Sequence, residues 1–288
     1  MATQDFFNIG LYVNGVITPY SSSQIIKLRN FRNDTINFPQ TRFGLNQIKI
    51  GYKKPWRQVY FDISRSYSLP GIGISIFQYT TLIDGRRGFR PVGDYIDDET
   101  AIWQNSGIIR FKEVPPNWGT DSQGDYSLLL TCRVANEDDA PVSWDIPMRG
   151  INYVFSDDND LQRIRSDILE ASQGAGWGPK HVYARDFIMQ QLRIKYSKKD
   201  LTAFDILNPG DSREASTFLT LYAIYKFELS KLNGDLFDTQ SKEFYKKATK
   251  SFDLYNLSID TNDDGMLTDA DDTLVPDDAI TKVDLEWT

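Results

Sequence analysis

Tyr12-Val13-Asn14-Gly15-Val16-Ile17 places an Asn-Gly pair between two short apolar runs. A type I′ turn needs positive φ at both central residues, and Asn-Gly supplies this at small steric cost, so the stretch predicts a tight β-hairpin. Outward from it, short runs rich in Ile, Val, Tyr and Phe recur at 24–28, 47–51, 58–63, 72–78, 107–111 and 126–134, separated by Gly, Pro, Asn and Asp. Short strands with turn signals between them predict an N-terminal antiparallel β-sandwich or barrel over residues 1–156. Trp56, Trp103, Trp118 and Trp144 fall in this half. Bulky indoles among strands are expected in the core.

From about residue 159 the apolar period changes from two to between three and four. Leu161, Ile164, Ile168 and Leu169 predict a helix over 160–172, broken by Gly174-Ala175-Gly176-Trp177-Gly178-Pro179. Phe187, Ile188 and Leu192 mark a second helix over 181–195, and Phe218, Leu221, Tyr222, Tyr225 and Leu229 a third over 213–232. Asp211 or Ser212 is the candidate N-cap of the third, and Asn233-Gly234 its αL C-cap. A fourth, over 238–255, sets Phe244, Tyr245, Phe252 and Tyr255 against Lys242, Lys246, Lys247 and Lys250. The last two helices are expected to pair antiparallel. The fold class is therefore α+β: a β-domain over 1–156, a helical bundle over 157–259, and an acidic segment over 260–288.

That last segment dominates the charge. The 288 residues carry 32 basic and 40 acidic side chains, net −8. Residues 260–288 hold ten acids against Lys282, so residues 1–259 are close to neutral. This argues against a nucleic-acid binder held by phosphate neutralisation. One cysteine, Cys132, excludes an intrachain disulfide, and one histidine, His181, excludes metal clusters built on two or three imidazoles. Neither a basic-then-apolar leader nor a run of 18 apolar residues is visible, so synthesis in the cytoplasm and no membrane partner are expected.

Within the acidic segment, Asp260, Asn262 and Asp264 stand at positions 1, 3 and 5 of a calcium-type loop, with Gly265 at 6, where the chain must turn sharply. The Met266 carbonyl would ligate at 7 and Thr268 would hold a water at 9. Asp271 occupies position 12, where an EF-hand has a bidentate Glu; an Asp there resembles dockerin-type loops. These residues predict a structural Ca2+ site, with the helix over 238–255 leading into it.

Catalytic signals are missing. No phosphate loop, dinucleotide fingerprint or nucleophile elbow occurs. Gly71-Ile72-Gly73 is read as a bulge or turn. His181 is read as a capping or surface residue, and Cys132, on the alternating strand 128–134, as a small buried hydrophobe. Asp94, Asp97, Asp98 and Glu99 form a charged loop, and Arg86, Arg87 and Arg90 a solvated basic turn. The expectation is a protein that is not an enzyme.

Residues 95–111 contain Asp98-Glu99-Thr100 and Ser106-Gly107 before a strand; Pro115-Pro116, Trp118 and the aromatic start Tyr126-Ser127-Leu128 follow. This order resembles a segment that recurs in tailed-phage virion proteins, within a β-sandwich. Residues 215–225, 242–245 and 260–265 are similar to head–tail connector or adaptor (neck) proteins of tailed phages, with a helix pair, a Lys- and Tyr-rich last helix and an Asp-rich loop. The resemblance covers about half the chain. It implies a virion protein assembled in the host cytoplasm: a homo-oligomeric ring under the portal protein that receives the tail and neck proteins. DNA would pass through the lumen without specific binding, and the C-terminal arm would reach a neighbouring subunit. A baseplate or tail component, and a calcium-stabilised carbohydrate-binding module, are the alternatives.

Overall fold

The hairpin forms where Asn-Gly predicts it: β1 (Asn8–Val13) runs antiparallel to β2 (Val16–Pro19), with Val13 opposite Val16. The computed structural model describes residues 6–13, 16–31, 35–41, 46–64, 73–93, 96–100, 106–134, 143–172, 176–196, 199–231, 234–253, 257–260 and 272–274. The N-terminal half adds β3 (Ile36–Thr41), β4 (Asn46–Tyr52), β5 (Gln58–Ile63), β6 (Gly73–Ile83), β7 (Arg86–Pro91), β8 (Ile96–Asp98), β9 (Gly107–Phe111), β10 (Tyr126–Val134) and β11 (Ser143–Asn152). They make two antiparallel sheets, ordered β2-β1-β4-β10-β6-β7 and β3-β11-β5-β9-β8. Alternation along each strand sends one set of side chains inward. Ile48 and Ile50 of β4 and Leu128 and Leu130 of β10 share a core with Val59 and Phe61 of β5 and Ile146 and Met148 of β11. At about 1.5–3 kcal/mol per fully buried aliphatic or aromatic side chain, this shared core is what holds the two sheets together.

The helices are α1 (Ser22–Arg29), α2 (Asp158–Ile164), α3 (Gly178–Lys195), α4 (Arg213–Phe227) and α5 (Gly234–Asp253). Tyr225 meets Phe237, Tyr222 meets Tyr245, and Phe218 meets Phe244. Tyr225 and Lys226, at the end of α4, meet Phe237 and Asp238 near the start of α5, while Phe218, towards the other end of α4, meets Phe244, so the pair is antiparallel. Ala184, Ile188, Met189 and Leu192 of α3 belong to the same cluster as the sheet residues, so the core runs unbroken across position 156.

Several elements differ from the sequence reading. Residues 24–28, read as a strand, lie in α1. The Ser21 hydroxyl accepts the Gln24 N–H at 3.4 Å, and the Gln24 side chain accepts the Ser21 N–H at 3.0 Å. This capping box outweighs a two-residue β-branched run. Arg86, Arg87 and Arg90 stand on the exposed edge strand β7, not in a turn. The turn is Asp84-Gly85, with φ of 50 and 74 at its two residues, the type I′ pattern. The helix read over 160–172 ends at Ile164, because Arg165 is extended. Ser212 makes no capping bond, since the 3-10 turn Pro209–Ser212 runs directly into α4. Gly234 opens α5 instead of closing α4, which stops at Phe227.

The C-terminal frame also differs. α5 does not lead into the Asp-rich loop, because β12 (Leu257–Ile259) intervenes and pairs with β13 (Asp272–Leu274). Leu257 and Ile259 alternate with Ser258 and bury in the main core, which fixes this segment as a strand. No helix among the described residues is long and apolar enough to cross a membrane.

Candidate functional site

Among the described residues, Ser156-Asp157-Asp158-Asn159-Asp160 carries the densest buried polar chemistry, at the seam where β5 and β11 meet α2, α3 and α4. The local reason is helix capping. Asp157 is extended and accepts the Asn159 and Asp160 N–H groups at 3.0 and 3.2 Å, and Asp160 accepts the Asp157 N–H in return. Asp158 serves a different helix. At the start of α3, Trp177 has no side chain that can cap, and Asp158 Oδ1 accepts its N–H at 3.1 Å.

His181, one turn into α3, is fully buried rather than at the surface. Its Nε2 lies 3.2 Å from Asp158 Oδ1, and its Nδ1 lies 3.1 Å from Ser156 Oγ and 3.4 Å from Thr220 Oγ1. Facing a carboxylate, which accepts, Nε2 is the donor nitrogen, which leaves Nδ1 to accept from a hydroxyl. Ser156 Oγ is 2.8 Å from Ser216 Oγ, which extends the row into α4. A Ser, a His and an Asp in one row suggest a nucleophile triad, but the nitrogens are exchanged. In a hydrolytic triad the serine meets Nε2 and the carboxylate meets Nδ1. Here Ser156 has no exposed surface at all, so the row joins the halves internally.

Two charged clamps flank it. Asp62 of β5 accepts from Arg149 at 2.5 Å and from Ser106 at 3.1 Å. Burial raises its carboxyl from 3.8 to about 6, against the lowering effect of Arg149 and with a further rise from Asp158. Tyr60 packs at 6.0 Å from the His181 ring; burial, then the charges of Asp62 and Asp158, push its phenol well above the usual range. On the other side Arg213 of α4 grips Asp160 at 2.7 and 2.8 Å and Glu99 at 3.0 Å. Burial opposes the Arg213 charge, but the hydrogen bond and charge of Asp160, with Glu99, outweigh it. Asp157 is driven upward by burial and then by the charges of Asp160 and Glu99. The ring of Phe31 lies where a Cβ on Gly150 or Gly178 would stand, so a side chain at either position would displace that ring.

A second buried polar group lies on the outward face of the first sheet. Lys49 is about 1% exposed, with Nζ 2.8 Å from both Asp121 and Asp125 and 2.6 Å from Gln123. Burial would raise the Asp121 carboxyl, yet hydrogen bonds from Lys49 and Ser127 hold it below its usual value. The triad fastens the turn around Asp121–Asp125 to β4.

An open groove of ≈ 530 Å³ passes the seam, with Asp160, Arg213, Arg163, Glu214 and Phe218 among its lining residues. It touches the ion pair but not Ser156, His181 or Asp62. Of the sequence candidates, Glu99 joins the seam. Asp97 pairs with exposed Lys112 at 3.0 Å, and Asp98 caps Thr100. Asp94 lies outside the described residues, as does the side chain of Cys132, whose backbone pairs with Ser75. Trp56 and Trp118 are core residues, so neither is available to stack on a sugar; Trp103 lies outside the described residues.

The calcium-loop ligands are mostly outside as well: Asn262, Asp264, Met266, Thr268 and Asp271. Asp260 is buried, with its N–H on the Asp205 carbonyl at 2.8 Å. Ile259 faces Asp272 across the β12–β13 pair, which brings both ends of the loop over 260–271 together.

Sequence reading missed Asp62, Arg149, Asp157, Asp158, Asp160 and Arg213 as a group. The available signal was the Asp157…Asp160 capping box ahead of an apolar run. The Lys49 triad had a weaker one, a lysine between Ile48 and Ile50. No protein-family model matches the chain, and neither does any curated protein or solved structure.

Proposed function

We infer that the chain is a structural virion protein of a tailed phage: a ring-forming head–tail adaptor that links the portal to the tail and performs no catalysis. One observation carries the reading. The row of Ser156, His181 and Asp158 is buried, while large apolar side chains stand in solvent on both halves: Val16, Ile26, Leu82 and Phe89 on the β-half, and four on the helical half. Ile194 is 57% exposed, Leu236 53%, Phe227 40% and Ile164 39%. Exposed apolar groups are what a subunit contact needs, and a closed ring would bury those of the helical half heterologously. The similarity of residues 215–225 and 242–245 to adaptor helices supports the same assignment.

In this reading the two sheets, with their shared core, form a β-sandwich that projects from the ring, and the seam keeps it rigidly attached. A structural Ca2+, held by Asp260, Asn262, Asp264, the Met266 carbonyl, Thr268 through water, and Asp271, would tie the loop over 260–271 to the helical half. Size-exclusion chromatography with light scattering is the test. The reading predicts a discrete species at a multiple of 33.1 kDa. A monomer at all concentrations, with glycan binding by that monomer, refutes it in favour of a binding module.

A further inference from the structure

We propose that the lysine face of α5 is a docking surface for the chain's own C-terminal segment, residues 275–288. Ser241, Phe244, Ala248 and Ser251 turn one face of α5 inward. Lys242, Lys246 and Lys250 follow one another at spacings of four on the outer face, with Lys247 beside them, and all four are exposed. Lys242 is engaged by Asp238 at 2.8 Å, and Lys247 lies over the Phe218 and Phe244 rings. Lys246 and Lys250 make no ion pair among the described residues, and Glu243 is the acid on this face. Among the described residues, Lys246 and Lys250 thus stand without a paired acid at the last turns of the helix.

Residues 275–288 supply the complement: Asp277, Asp278, Asp284 and Glu286 against Lys282. The topology places their origin close by. Leu274 pairs with Leu257, four residues after Asp253 ends α5. The start of the segment is therefore within about 20 Å of the end of the helix. Extended, the segment reaches about 46 Å, and α5 is about 30 Å long, so it can lie along the whole stripe without strain. Tethering raises its local concentration to the millimolar range, which favours the chain's own tail over that of a neighbour. The inference does not depend on the adaptor reading.

Lysine acetylation followed by mass spectrometry tests it on three proteins: the full chain, a chain ending at residue 274, and a full chain carrying Asp277→Asn, Asp278→Asn, Asp284→Asn and Glu286→Gln. At low salt, Lys246 and Lys250 should react about threefold more slowly in the full chain than in either variant, as for a tail docked roughly two thirds of the time. Lys112, on the sheets, should not change. High salt should remove the difference. Equal rates in all three proteins overturn the proposal. Protection that grows with protein concentration also overturns it, because the tail would then belong to another copy. The charge-neutral variant retains every residue of the chain, so the test stands even where the truncation does not fold.

Discussion

Replacing Asp62 by Asn should flatten the acid side of the stability profile. In the folded chain burial raises this carboxyl from 3.8 to about 6. Between those values the folded state holds a proton that the unfolded state has lost, so stability falls as pH rises through the window and levels off above it. A shift of this size corresponds to about 3 kcal/mol in total, with a slope of at most about 1.36 kcal/mol per pH unit. Between pH 4.5 and 7.5 the part lost is about 2 kcal/mol. Asparagine keeps an oxygen that can accept from Arg149 and Ser106 but has no proton to exchange. Urea unfolding at both pH values gives ΔG for each protein, and the difference of differences isolates Asp62 from every other titrating group. The wild type should lose about 2 kcal/mol more than the variant. Identical losses would refute the claim that burial outweighs the Arg149 pairing and raises the Asp62 carboxyl.

Three further outcomes are accessible. Lys49→Met leaves buried Asp121 without its cation and Asp125 with only exposed Lys53, at 2.7 Å, and should cost about 3–5 kcal/mol; adding Asp121→Asn should recover part of that, and additive losses would deny the triad. Chelation should lower the melting temperature and calcium titration should release heat; neither change would remove the metal from the account. Ile194→Asp with Leu236→Asp should reduce the oligomer to monomers with little change in monomer stability, since both side chains are already exposed; an unchanged oligomer would place the contact elsewhere.

What the sequence revealed follows from how local each signal is. The Asn14-Gly15 hairpin and the stripe Phe218, Leu221, Tyr222 and Tyr225 depend on neighbours in sequence, and both elements formed. Residues 24–28 were misread because a side-chain cap at Ser21 decides that segment, not its apolar content. The seam was illegible for a different reason. Asp62, Arg149, Asp160 and Arg213 come from four separate elements, and no single-strand or single-helix pattern marks a residue whose partner lies far along the chain. His181 was misread on the same ground: its partners Ser156 and Thr220 are 25 and 39 residues away.

The central claim is assembly into a ring. Electron microscopy of the purified chain, alone and mixed with a portal ring, tests it most directly. The account predicts closed rings of uniform copy number that stack coaxially on the portal. Separate monomers that leave the portal bare would contradict it.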